Sequence, residues 1–315
     1  MKIVFLDAKT LGADIDLSGF SELGAVTIHD MTADSEAAAR LADCDVAVVN
    51  KVKLNSSNLA GAKNLKLICE TATGYDNIDC AYCGAHGIAV CNVTAYSTDS
   101  VTQVTIAMAL SLMTHLREYD DYVKDGRYTR SGIHNQLSPY FHELRGLTWG
   151  IAGLGNIGRG VAAVAQAFGC RVLAYKRTPE PGYTWVPLET LCREADILSV
   201  HLPLTPETER LFDAEKIGMM KPNAIFINVA RGAVADEEAL VQAVEQGKIG
   251  GLGIDVYSAE PMAQENPYQR ILHRDNVVFT PHMAWAAHEA RVRCMRIVRE
   301  NIVAFFNGTK QNRVV

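Results

Sequence analysis

Short apolar runs recur along this chain at near-regular intervals, separated by longer amphipathic or polar stretches, and nothing else in the sequence constrains the fold so tightly. In the first hundred residues the runs are Lys2–Asp7, Val26–His29, Cys44–Asn50, Leu65–Cys69 and Ile88–Val93. A second series follows at Leu147–Ala152, Arg171–Tyr175, Asp196–His201, Ala224–Val229, Leu252–Val256 and Val277–Thr280. Runs that are apolar on nearly every residue suit parallel strands buried on both faces. The alternation predicts an α/β protein with two doubly wound parallel-sheet domains in succession. A chain of 315 residues accommodates two such domains, each able to bury a core without disulfides or metals.

Between the two series, Ser97–Lys124 reads as one long helix, with Ser97 or Thr98 as N-cap and Gly126 as its end. Its interior is apolar around most of its circumference, the pattern of a helix buried between domains or subunits. His288–Phe306 reads as a second long helix, rich in Arg.

The charge balance excludes several roles. A net charge of −6 lacks the dense basic footprint of a sequence-blind nucleic-acid binder. No apolar run reaches the roughly 18–20 residues of a membrane span, and no secretory signal is visible, so a cytoplasmic protein is expected. Eight cysteines are scattered along the chain, and Cys80 and Cys83 form a lone C-x-x-C without the second pair that zinc sites usually show. Reduced thiols and no metal are expected.

Gly153-Leu-Gly155-Asn156-Ile157-Gly158 is a G-x-G-x-x-G that follows one strand-like run and opens a helical stretch leading to the next. In that context Gly153 makes a tight turn, Gly155 admits a pyrophosphate and Gly158 lets helix and strand pack closely. The pyrophosphate then rests on the helix N-terminus, whose free N–H groups and dipole favour negative charge. An NAD site normally places an Asp or Glu at the end of the following strand, for the ribose 2′-hydroxyl. Here the sequence reads Tyr175-Lys176-Arg177-Thr178. Two cations and a hydroxyl suit a 2′-phosphate, so NADP(H) is favoured, with NAD(H) as the alternative.

Three polar residues follow later strands of the second series, where open α/β sheets bind ligands: Arg231, Glu260 and His282. An Arg fork clamps a carboxylate bidentately. A His moves a proton near neutral pH, and a neighbouring Glu favours its charged ring and fixes its tautomer.

With these motifs in hand, the sequence resembles the D-isomer-specific 2-hydroxyacid dehydrogenase family over essentially its whole length. The matching segments are TATGYDNID (71–79), GLGNIG (153–158), HLPLTPET (201–208), NVARG (228–232), GIDVYSAEP (253–261) and TPHMAW (280–285). NVTAYST (92–98) and the MAW after the His look most like the glycerate dehydrogenase or hydroxypyruvate reductase branch. The resemblance implies a Rossmann cofactor domain over 98–286 and a flavodoxin-like substrate domain from 1–97 plus 287–315. It implies that Arg231 binds and polarises a small 2-oxo or D-2-hydroxy acid, that His282 is the acid/base and that Glu260 orients it. Thr73, Gly74 and Trp285 would also face the substrate. Cofactor contacts are implied for Asn156, Ile157, His201, Pro203, Thr208, Val229, Ala230 and Asp255, the last on the nicotinamide carboxamide. A homodimer is implied as well. The sequence departs from the family at Thr73, where Val is common, at Thr102-Gln103, where Ala-Glu is common, and at the missing acidic cofactor residue. Formate-oxidising enzymes of this fold would carry Gln where Glu260 stands, and dinucleotide-sensing corepressors, which also resemble the family, carry partner-binding extensions. An enzyme is expected.

Overall fold

The computed structural model describes residues 1–176, 178 and 181–315. The chain divides into two compact units, one of Met1–Ser97 with Ala286–Val315, the other Thr98–Trp285.

The first unit is a five-stranded sheet in the order β2-β1-β3-β4-β5, every pair parallel. Its strands are β1 (Lys2–Phe5), β2 (Ala25–Ile28), β3 (Val46–Val49), β4 (Leu67–Glu70) and β5 (Ala89–Cys91). β3, β4 and β5 are buried at every residue, as their apolar runs demand and with Glu70 at the end of β4 buried as well, whereas β2 is an exposed edge. Helix His288–Phe306 packs on β4 and buries Cys294, Val298 and Ile302. The tail beyond it covers the other edge. Arg313 bridges Cys91 in antiparallel sense, Val314 donates to the Val90 carbonyl at 2.8 Å, and Asn92 donates to the Asn312 carbonyl at 3.1 Å. The side chains of Asn301 and Asn312 join the same network. An open row of strand amides is thereby closed.

The second unit holds seven parallel strands: β6 (Thr148–Ala152), β7 (Arg171–Tyr175), β8 (Thr184–Trp185), β9 (Ile197–Val200), β10 (Ile225–Asn228), β11 (Gly251–Ile254) and β12 (Val277–Phe279). Their order is β12-β11-β10-β9-β6-β7-β8. The chain winds outward from β6 in one direction through β7, then in the other through β9, so the order reverses at β6/β9 and leaves a crevice at the strand ends. Alternate residues feed opposite faces. Ile225 and Ile227 join one core with Trp149 and Ile151, while Phe226 joins the other with Leu198 and Leu252. Both units are thus doubly wound.

The long helix is two. Thr98–Met113 packs against helix Asn156–Ala167 and the β10–β11 face, with Met108, Ala109 and Leu112 buried. It stops because His115 adopts a left-handed φ of 50°. The Thr114 hydroxyl also bonds back to the Leu110 carbonyl at 2.7 Å, a local competitor of helix propagation. The second helix, Leu116–Lys124, has no buried residue.

Candidate active site

The glycine turn joins β6 to helix Asn156–Ala167. Gly153 has φ +97° and lies so close to β9 that a Cβ would meet the His201 carbonyl group at 2.7 Å. A Cβ on Gly158 would stand 2.2 Å from the Gly153 oxygen, so only glycine lets the helix start this near the strand. Gly155 caps the helix and faces open space. Beside this turn the His201 ring takes part in a buried chain in which Trp149 Nε1 donates to Ser199 Oγ at 3.0 Å, with His201 Nε2 another 3.0 Å away. Burial holds the His201 ring pKa down at about 3, so it stays neutral at working pH. Its Nδ1 is buried with no hydrogen-bond partner. An open cradle at Gly155 and an orphaned ring nitrogen next to Gly153 fit a bound dinucleotide.

The three candidate reacting groups, Arg231, Glu260 and His282, follow β10, β11 and β12. Asn228, 1% exposed, folds the chain after β10: its Oδ1 accepts from Ala230 N at 3.0 Å and its Nδ2 donates to the Arg231 carbonyl at 2.9 Å. Arg231 leaves this turn extended, one guanidinium N–H on the Ala230 carbonyl. Beyond β12, His282 adopts a left-handed φ of 52°, a region that only a few per cent of residues other than glycine occupy. Asp255 at the end of β11 holds it there. The His282 N–H donates to the Asp255 carbonyl at 2.8 Å. The Asp255 carboxylate accepts from Thr280 Oγ1, Met283 N and Ala284 N at 2.5, 2.8 and 3.0 Å. Burial pushes the Asp255 carboxyl up, opposed by these donors and by His282.

Glu260 meets His282 with Oε2 2.6 Å from Nδ1, and its Oε1 accepts from Tyr257 N at 3.1 Å. The ring is 20% exposed and the carboxylate 30%. Nδ1 is committed to the carboxylate, which leaves Nε2 to exchange a proton with a substrate oxygen. A carboxylate–imidazole pair at the same end of the sheet as a dinucleotide turn can pass one proton for each hydride.

The remaining expected site residues divide. Val229 and Ala230 lie in the Asn228 turn. Thr208 spends its hydroxyl on the Pro203 carbonyl and on Thr205 N, closing the exposed 203–208 turn. Both Asp255 oxygens are likewise engaged within the protein. Trp285 packs against the core beside β6. Lys176 follows β7, half-buried, and Thr178 is exposed; Arg177 lies outside the described residues. In the first unit, Thr73 follows β4, donates from its hydroxyl to the Val93 carbonyl and accepts from Asn92 Nδ2, and Gly74 is next in the same loop. Sequence reasoning passed over Asn228 and Arg159. The latter reaches back across the glycine turn to the Leu154 carbonyl at 3.3 Å and Asn156 Oδ1 at 2.9 Å. Its place in the first turn of the cofactor helix was the available signal.

Comparison with known proteins agrees with this geometry. The profile of the D-isomer specific 2-hydroxyacid dehydrogenase NAD binding domain matches residues 106–284. Hydroxypyruvate reductase of Blautia hydrogenotrophica is 34% identical, with 100% of this chain and 99% of that one covered. Glycerate dehydrogenase of Methylorubrum extorquens is 35% identical over 99% of this chain and 98% of its own. Among solved structures, an acyclic imino acid reductase in complex with NADPH and D-Arg superposes with a TM-score of 0.90, at 28% identity and full coverage of both chains. The chain belongs to the D-isomer specific 2-hydroxyacid dehydrogenase family. It is an oxidoreductase that moves a hydride between a nicotinamide dinucleotide and C2 of a small 2-oxo or D-2-hydroxy acid.

Proposed function

We propose that this enzyme reduces glyoxylate and hydroxypyruvate, with His282 as proton donor, Glu260 as its orienting partner and Arg231 as the carboxylate clamp. The 2.6 Å contact between Glu260 and His282, on loops fixed at the ends of β11 and β12, carries the reading. When bound, the nicotinamide supplies the hydride to C2. Arg231 holds the substrate carboxylate by its planar fork and offsets the negative charge that grows on the C2 oxygen. His282 gives that oxygen a proton from Nε2, and the Glu260 anion stabilises the ring while it is charged. The names of the two relatives and the bulk of Trp285 favour short substrates. A panel of 2-oxo acids tests this: kcat/KM for hydroxypyruvate should exceed that for phenylpyruvate, and the reverse order overturns the size assignment. Ammonia with each 2-oxo acid belongs in the same panel, because the imino acid reductase shares the fold.

We assign NADPH as the preferred reductant. No carboxylate follows β7 at 176–178, and the sequence there offers Lys176, Arg177 and Thr178. Charge-assisted bonds to a 2′-phosphate at an exposed site contribute about 1–3 kcal/mol, which corresponds to several-fold to about a hundredfold in kcat/KM. Lys176→Asp and Arg177→Ala should each lower kcat/KM for NADPH and spare NADH. A wild type tenfold better with NADH overturns the assignment. We also infer a cytoplasmic homodimer. Eight free thiols support the compartment. The arm from Leu116 to Phe141 supports the dimer, since it exposes Ile133 at 62%, Leu137 at 75% and Tyr140 at 76%.

A further inference from the structure

Glu237 is the first residue of helix Glu237–Glu245, five positions past the Arg231–Gly232 turn, and is 8% exposed. A buried carboxylate is costly unless its oxygens are filled with donors. Here they are filled from one loop. Oε1 accepts from Ser258 N at 2.7 Å, and Oε2 accepts from Ser258 Oγ at 2.7 Å and Asn266 Nδ2 at 2.8 Å. Ser258 and Asn266 are the two limbs of the loop that carries Glu260. Asn266 is itself fixed, because its Oδ1 accepts from Tyr268 N at 2.9 Å. The same loop lies directly on Gly232: a Cβ there would meet Tyr257 C at 2.0 Å and Ser258 N at 2.3 Å. Consecutive amides are therefore divided between two carboxylates, with Tyr257 N on Glu260 and Ser258 N on Glu237.

We infer that Glu237 is a positioning residue for the reaction, clamping both limbs of the 258–266 loop onto the Arg231 turn so that Glu260 stays against His282. The inference rests on the roles proposed above for Glu260 and His282. Among the described residues, the charged and titratable groups near the pair include Asp255, which holds the His282 loop, and Tyr257. Burial pushes the Tyr257 hydroxyl up to about 12, and the anions of Asp255, Glu260 and Glu237 add to the effect. Neither reaches the Ser258 and Asn266 donors that Glu237 holds. An amide at 237 cannot replace the carboxylate in either orientation: its NH2 would face the Asn266 NH2 or, turned over, the Ser258 N–H, and turning Asn266 over would forfeit Tyr268 N.

The test is a double-mutant cycle of Glu237→Gln and Glu260→Gln in the full-length enzyme, read as kcat, cofactor KM and the pH above which reduction falls. Glu237→Gln should lower kcat between about tenfold and a hundredfold, the scale of a small misplacement at a reacting centre. It should move the fall in reduction to lower pH, because His282 loses its close anion, and leave cofactor KM within about twofold. In the Glu260→Gln background the second substitution should add less than about twofold. Ser258→Ala, which removes one of three bonds and keeps the fold, should move the pH profile the same way by less. If Glu260→Gln moves the pH profile and Glu237→Gln does not, or if the two losses multiply, Glu237 is structural and the inference fails alone. If Glu260→Gln itself leaves the profile in place, the proposed role of Glu260 fails, and this inference with it.

Discussion

A single side chain, His282, sits on backbone that few residues other than glycine accept, and its neighbours hold it there. The Asp255 carboxylate spends its acceptors on Thr280, Met283 and Ala284, so the conformation of the proposed proton donor depends on a residue that need not touch the substrate. His282→Ala should lower kcat by about 10²–10⁴, the usual worth of general acid–base catalysis, with cofactor affinity nearly unchanged in fluorescence titration. Asp255 makes a separate prediction. Its carboxyl is raised by burial, so it reaches the charged, accepting form only at a pH above the ordinary Asp range. As pH falls through that raised value, one oxygen becomes a donor facing backbone N–H groups and the His282 loop loosens. Reduction should therefore show an acid limb above the ordinary Asp range, and Asp255→Asn should abolish that limb while lowering the rate at every pH. An acid limb unchanged in Asp255→Asn would assign it to another group. That Arg231, Glu260 and His282 stand after successive strands was legible in the sequence, because each follows a strand-like run. What Asn228, Asp255 and Glu237 grip was not, because it depends on which oxygen meets which amide, and spacing carries no record of that.

Among the elements, the turn from β6 into its helix is the most closely specified. A Cβ on Gly158 would press against a backbone oxygen, which cannot swing aside as a side-chain tip can. Gly158→Ala should cost about 1–3 kcal/mol by overpacking and reopen the turn. Thermal melts with and without NADPH check both parts: a lower Tm without cofactor, and a smaller rise on adding it. The apolar runs marked eleven strands in their places, with ends that ran past the observed ones at several points. β8 escaped because two residues, Thr184 and Trp185, carry no periodicity. The break at His115 escaped for a different reason. Thr114-His115-Leu116 is compatible with helix on its face, and a left-handed residue other than glycine leaves no signature in composition.

At the scale of the whole molecule, the two units differ in how the chain supplies them. The second is one unbroken stretch, and the first is assembled from both ends. The exposed arm of the second unit gives the test of the proposed homodimer. The wild type should sediment at twice the chain mass and the Leu137→Asp, Tyr140→Asp double variant at the chain mass; a wild type at the chain mass overturns the dimer, and a double variant still at twice that mass overturns the arm as its contact.

The closure of β5 by residues 312–314 has a consequence for the order in which the protein comes into being. On the ribosome the strands of the first sheet emerge before the second unit, yet the helix that covers β4 and the strap that closes β5 are translated after the whole of that unit. At about 5–20 residues per second, that edge stays bare for on the order of tens of seconds. The unit made first is the one finished last, and until the strap arrives each nascent chain offers its neighbours on the same message a strand to pair with.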